Sequence, residues 1–374
     1  VRAISSEFAS LLGCVLIASA AGCYVARQDP LDGAVDDGEA GTPDAPRDGG
    51  PDAVPLPTCR RSWREWSMDQ EVYPGGWARG AARLRHGERT WLAVYSVDTG
   101  QTHLLDFAYT GRIPVVLRNL PAGSGVPVAG AMDDARVVLA WVGLEAPLSI
   151  RILDPDARFL GELDPIVRGG RPTLSLRGTR AALAQSEGMG VPSSVVVFDV
   201  SGAGVIGEAA FEEYEEVAVG HGLGLFYAIG TPPAGESELL GVDEAGVTRA
   251  GGIGARMLAV DWDGPVAAGF SAEGGIAVRR PRTAVEQFDL GEPFELRGAR
   301  LSLATSAGEL WFAIRIGDPP RVLLGDPRNG WISLPEEDLG GGLVSLLAHA
   351  DPTHRGAFVL TARELRWIGF SCSS

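Results

Sequence analysis

The sequence predicts an all-β fold, a seven-bladed β-propeller over residues 58–374. Three observations predict it: a repeat with a period in the low forties, brief apolar strands within each repeat, and turn-forming Gly and Asp between them. The 51 Gly and 25 Pro in 374 residues favour many short strands over long helices.

The repeat is clearest in its second strand, at Thr90–Tyr95, Arg136–Trp141, Arg180–Gln185, Leu223–Ala228, Pro265–Phe270, Glu309–Ile314 and Gly356–Thr361. Their starts differ by 46, 44, 43, 42, 44 and 47 residues, the length that four short strands and their connections need. Six or eight blades, or a pair of β-sandwiches, are the competing architectures. Third strands end in Asp154, Asp199, Asp243 and Asp326. Asp bonds its own following backbone and Gly accepts positive φ, so Asp243–Gly246 and Asp326–Gly330 are predicted turns into fourth strands. Continuous apolar runs such as Val195–Phe198 and Leu301–Ala304 suit sheets covered on both faces by neighbouring blades.

The last repeat supplies three strands, around Leu343–Leu347, Gly356–Thr361 and Glu364–Ile368. A fourth can come from the N-terminal side, at Trp63–Met68, which closes the ring and hides its edges. Cys372 then follows the third strand and Cys59 precedes the borrowed one. A Cys59–Cys372 disulfide is predicted to replace the missing hairpin connection.

Ahead of the propeller, residues 1–22 read as an export signal, with an apolar core at Phe8–Ala21 too short to span a membrane. Ala20-Ala21-Gly22-Cys23 resembles the lipobox of bacterial lipoproteins, which implies lipid attachment at Cys23 and anchoring in a membrane. Tyr24 is not the Asp that retains some lipoproteins at the inner membrane, which favours the outer membrane, on its periplasmic side or at the cell surface. Residues 23–57 read as a disordered tether. Tyr24–Pro57 holds six Pro, five Gly, eight acids and two Arg, too little apolar surface to offset ordering. Such a flexible segment spans about 30 Å root-mean-square. With Cys14 removed and Cys23 lipidated, Cys59 and Cys372 are the remaining thiols, in an oxidising compartment.

All 32 basic residues are Arg, and the net charge is −16. That balance opposes nucleic acid, whose phosphates need clustered cations. The absence of Lys excludes a phosphate loop of the type that ends in Gly-Lys, and no Gly-x-Ser-x-Gly elbow occurs. No cofactor is implied. Ser96–His103 resembles one Asp-box of sialidase-like propellers, with His103 where an aromatic stands, and also the Asp-Thr-Gly turns of quinoprotein-like propellers. It occurs once, between second and third strands. The repeat as a whole resembles the propeller superfold of WD40 and quinoprotein-like proteins. His349, Asp351 and His354 form a weak candidate metal set that doubles as an ordinary turn. Trp91, Trp141, Trp262, Trp311, Trp331 and Trp367 are expected in packing between blades.

The inter-blade connections read as acidic: Asp69 and Glu71, Glu162 and Asp164, Glu212, Glu213, Glu215 and Glu216, Glu292 and Glu295, then Glu336, Glu337 and Asp338. Gathered on one face, these carboxylates would attract cations or basic partners. With no catalytic set in evidence, the expected function is a monomeric, membrane-tethered, non-enzymatic module that binds another envelope or surface protein. A glycan-binding or glycan-hydrolysing propeller is the alternative.

Overall fold

The computed structural model describes residues 69–371, except 74–77, 88, 107–114, 121–125, 143–147, 167–169, 189, 203, 223–224, 244–245, 281–282, 291–293, 297 and 341. Within it, 28 strands form seven four-stranded antiparallel sheets. The chain begins with β1 (Asp69–Tyr73). Blade 1 holds β2 (Ala78–His86), β3 (Arg89–Ser96), β4 (Gln101–Asp106) and β5 (Val115–Leu120). Blade 2 holds β6 (Val126–Met132), β7 (Val137–Val142), β8 (Leu148–Leu153) and β9 (Phe159–Ile166). Blade 3 follows with β10 (Pro172–Arg177), β11 (Arg180–Gln185), β12 (Ser193–Asp199) and β13 (Gly204–Phe211). Blade 4 has β14 (Glu216–Gly222), β15 (Leu225–Thr231), β16 (Glu238–Asp243) and β17 (Gly246–Gly252). Blade 5 has β18 (Met257–Asp263), β19 (Val266–Ser271), β20 (Ile276–Arg279) and β21 (Glu286–Phe288). Blade 6 has β22 (Arg300–Ser306), β23 (Glu309–Ile316), β24 (Arg321–Asp326) and β25 (Gly330–Pro335). Blade 7 has β26 (Leu343–Ala350), β27 (His354–Thr361) and β28 (Leu365–Ser371).

Every predicted second strand is the second strand of a blade, and the blade count is seven. The first strands contact one another in a cycle, β2 to β6 and onward to β26 and back to β2, so they line a central channel. Seven apolar clusters sit at the seven seams between blades. No blade can bury both of its faces alone, so each seam supplies a wall for two sheets. Second strands accordingly carry runs of buried residues, as in β19 and β27, whereas β13 and β17 on the perimeter are largely exposed.

Blade 7 is completed by β1, which pairs with β28 from Asp69 opposite Gly369 to Tyr73 opposite Leu365. The chain does borrow an N-terminal strand, but at Asp69–Tyr73 rather than Trp63–Met68, which lies outside the described residues. The paired acidic residues made this stretch look like a connection. The predicted turns hold: Asp243 opposes Gly246 (φ 126°) and Asp326 opposes Gly330 (φ 103°). The Asp326 carboxylate accepts the Arg328 amide at 2.7 Å, the local bond that makes Asp a turn former.

Antiparallel order fixes two faces. Connections from second to third strands and from one blade to the next lie on the loop face. Hairpins from first to second and third to fourth strands lie on the turn face.

Candidate functional site

First strands of a propeller have an unpaired edge toward the channel, and its amides and carbonyls need partners. Side chains from neighbouring blades supply them. Val219 N–H donates to Thr173 Oγ1 at 2.8 Å, Ala348 N–H to Ser302 Oγ at 2.9 Å, and Ala259 N–H to Glu216 Oε2 at 2.6 Å. In blade 5, Asp261 accepts the Leu303 amide at 2.8 Å and Asp263 accepts the Thr305 amide at 2.5 Å, both from blade 6.

Two arginines of β2 reach these carboxylates across the channel. Arg85 donates to Asp263 Oδ2 at 2.6 Å, to Ala350 O at 2.8 Å and to Thr305 O. Arg83 donates to Ala348 O at 2.7 Å and Leu303 O at 2.5 Å, and stands 3.8 Å from Asp261. Blades 1, 5, 6 and 7 are thereby joined through one network. Burial lowers the Arg85 pKa while Asp263 raises it, and the guanidinium stays charged at neutral pH because its ordinary value is so high. Buried charges in such a network are tolerable because each has hydrogen-bonding partners. Nothing in the sequence analysis singled out these four residues, since abundant Arg reads as background in this chain. The usable signal was period-two charge at Arg83 and Arg85, and at Asp261 and Asp263, within first strands.

The candidate acidic residues do not all gather on the loop face. Asp69 and Glu71 lie within β1, and Glu162 and Asp164 within β9, so none of these four belongs to an inter-blade connection. Glu162 is held by Arg151 at 3.4 Å and Ser149 at 3.1 Å. Glu292 lies outside the described residues. Glu216 opens β14, while Glu212, Glu213, Glu215, Glu295, Glu336, Glu337 and Asp338 sit between blades, and several of these eight are engaged. Glu213 meets Arg249 at 2.7 Å, Glu215 meets Arg256 at 3.4 Å, and Glu216 holds the Ala259 amide. Glu336, buried, meets Arg315 at 2.5 Å. Glu212, Glu295, Glu337 and Asp338 are exposed there.

His349, Asp351 and His354 meet at the hairpin from β26 to β27. His349 Nε2 lies 3.0 Å from Asp351 Oδ2, and its Nδ1 lies 3.2 Å from Thr90 Oγ1 of blade 1. A carboxylate only accepts, so Nε2 carries the proton and Nδ1 takes one from the Thr90 hydroxyl. Burial pushes the His349 pKa down and keeps the ring neutral. Burial acts against the Asp351 carboxylate, yet the bonds from His349 and from Thr353 hold its pKa well below the usual range. With both His349 nitrogens committed, the three residues lock a turn to the neighbouring blade, and no metal-holding group of three such side chains occurs among the described residues.

Trp91, Trp141, Trp311 and Trp367 are each at most 2% exposed and fill seams, while Trp262 packs over Gly220 and Trp331 against Phe312. Ser96–His103 spans the hairpin from β3 to β4 on the loop face, where Thr99 Oγ1 lies 3.1 Å from His103 Nε2. Cys23, Cys59 and Cys372 lie outside the described residues.

No protein-family model matches this chain, and no curated protein matches it in sequence. The site therefore rests on its own geometry: a channel crossed by charge pairs, beside a face of inter-blade connections bearing exposed carboxylates.

Proposed function

We propose that this chain is a lipid-anchored, non-enzymatic propeller that binds another protein of the cell envelope through its loop face, as a monomer. The observation that carries this reading is the channel network: the polar side chains of Arg83, Arg85, Asp261 and Asp263 are spent on one another and on strand edges. Chemistry at the channel would need these groups uncommitted. The loop face instead carries Glu212, Glu295, Glu337 and Asp338 exposed, able to meet basic side chains. A glycan platform finds less support, because Trp91, Trp141, Trp311 and Trp367 have no open ring face for a sugar.

Cross-linking of the full chain in its native envelope tests the reading. A partner captured by the wild type, released by salt, and lost on combining Glu212→Gln, Glu295→Gln, Glu337→Gln and Asp338→Asn supports it. Turnover of chromogenic glycosides that one of these substitutions abolishes overturns it. Lipidation is tested separately by membrane fractionation of Cys23→Ser, which should release the chain from the membrane.

A further inference from the structure

At the loop-face mouth of the channel the local charge balance turns positive. Arg300 opens β22 there and stands directly opposite Arg315 of β23 in the antiparallel register. Like charges in opposed positions repel, so each needs a counter-charge. Glu336 serves Arg315: its Oε2 lies 2.5 Å from Arg315 Nε, and its Oε1 accepts the Leu343 amide at 3.2 Å. Arg315 also donates to Gly298 O at 2.8 Å. Both oxygens of this buried carboxylate are therefore engaged away from Arg300.

Arg300 is left with the backbone. It donates to Val344 O across the seam to blade 7, and no carboxylate lies within ion-pair distance of it among the described residues. Arg171 is a second such cation. It directly precedes β10 of blade 3, on the opposite side of the ring, is exposed, and likewise has no carboxylate within ion-pair distance among the described residues. Its backbone is pinned, since Gly170 donates to Ser186 O at 2.6 Å and Ser186 donates back to Arg171 O at 3.5 Å. The two guanidiniums act on each other over the mouth. The Arg300 pKa is lowered first by burial and then by the charges of Arg315 and Arg171, and Glu336 is the carboxylate that opposes them. Three cations thus face one carboxylate, which leaves two positive charges in excess at this point. Glu215 and Glu216 of the same face are turned to Arg256 and to the Ala259 amide.

We infer that Arg171 and Arg300 clamp one acidic side chain of the protein that docks on the loop face. Guanidinium forks match a carboxylate bidentately, and two of them on opposite sides of a channel mouth hold one such group between them. The surroundings select among anions. Exposed Glu295, Glu337 and Asp338 in the neighbouring connections repel a doubly charged phosphate, yet they meet basic residues that flank a single carboxylate in a protein. The partner segment is therefore an acidic residue set between basic ones. This rests on the loop-face reading above and deepens it by naming the partner's charge pattern.

The test is fluorescence anisotropy with the purified full chain at low ionic strength, where such contacts are least screened. The probes are a labelled peptide with one Glu between two Arg and a control with Gln in place of that Glu. The Glu peptide should bind about tenfold tighter, as a charge-assisted bond gives. Arg171→Gln and Arg300→Gln should each bring the two peptides to about equal affinity, whereas Arg171→Lys should keep part of the preference, because it retains the charge without the fork. Arg171 is exposed, so its variants keep the ring intact even where Arg300→Gln loosens blade 6. Combining Glu212→Gln, Glu295→Gln, Glu337→Gln and Asp338→Asn should weaken both peptides alike and leave their ratio unchanged. Equal affinity of both peptides for the wild type overturns the clamp, and a common loss on those four substitutions then leaves the loop-face reading standing. A preference that survives in both Arg171→Gln and Arg300→Gln also overturns it. Displacement of the Glu peptide by inorganic phosphate, at concentrations where acetate has no effect, overturns it in favour of a phosphate site. Binding of neither peptide overturns the clamp, with the loop-face reading still decided by the envelope cross-link.

Discussion

Arg85 of blade 1 and Asp263 of blade 5 stand 178 positions apart in the chain and 2.6 Å apart in the ring. Between them lie blades 6 and 7, whose strand edges the same two side chains satisfy at Thr305 and Ala350. The pair therefore acts as a strut across the channel, and it holds a closed ring at the point where a slip of one blade would be felt by four.

Breaking one partner should be worse than removing both. Asp263→Ala leaves Arg85 buried without its carboxylate and is expected to cost about 3–5 kcal/mol. Asp263→Leu combined with Arg85→Met exchanges the charges for packing and should cost markedly less than the sum of the two single changes. Urea unfolding of the four variants checks this, and strict additivity would count against a coupled strut.

Acid should weaken the protein from near pH 6.5 downward. The His349 and His221 pKa values are both lowered, in each case first by burial, so the unfolded chain takes up protons that the folded chain refuses. Stability is full above the unfolded value of about 6.5 and falls by about 1.4 kcal/mol for each unit between it and the folded value. Asp351 adds a second loss below about pH 3.9, because its folded pKa is depressed and protonation there breaks bonds to His349 and Thr353. Denaturation midpoints at pH 7.5 and 5.0 should differ for the wild type, and His349→Gln and His221→Asn should each flatten the difference. Unchanged slopes in both variants would sink this assignment.

The ring itself was legible because its determinants are local and repeated. Strand patterning like that at Arg180–Gln185 or Glu309–Ile316 recurs in every blade, and Asp turns at Asp154, Asp199, Asp243 and Asp326 recur in four, so weak signals reinforce one another. The strut was illegible for the opposite reason. Nothing near Arg83 in sequence says that blade 5 carries Asp261 and Asp263, and only ring closure brings them together. The acidic residues were misplaced where a perimeter strand resembles a loop: β9 bears Glu162 on a sheet edge that faces water, so its polarity mimicked a connection.

Close approach between inner strands makes Gly220 irreplaceable. A Cβ there would lie 2.4 Å from the Trp262 ring, whose Nε1 donates to Ala218 O at 3.2 Å. Gly220→Ala must push the indole away, breaking that bond and opening the seam between blades 4 and 5. An overpacking cost of about 1–3 kcal/mol is expected. Combining it with Trp262→Leu should recover part of the loss, and thermal melts of the single and double variants read the recovery. A double variant that melts below both singles would show that the ring contact is not what constrains this glycine.

Ring closure depends on one short seam, and that seam is where a covalent link would matter most. β1 pairs with β28 over five positions and borders no other strand of its sheet. Ser371 ends β28 on the turn face, where Asp69 begins β1, so Cys372 follows one sheet end directly and Cys59 precedes the other by ten residues. Ten residues reach up to about 35 Å, ample to bring the thiols together. A Cys59–Cys372 disulfide is therefore predicted for the chain when it folds under oxidising conditions. In the chain-entropy account it stabilises by at most about 5 kcal/mol, because it closes nearly the whole ring. Cys372→Ser should lower the unfolding midpoint and, by letting β1 fray, expose the β28 edge to other chains, so aggregation during melting should rise. Mass spectrometry of unreduced peptides checks the bond directly. Free thiols at both positions in protein recovered from an oxidising compartment would mean that hydrogen bonds and packing alone hold the seam.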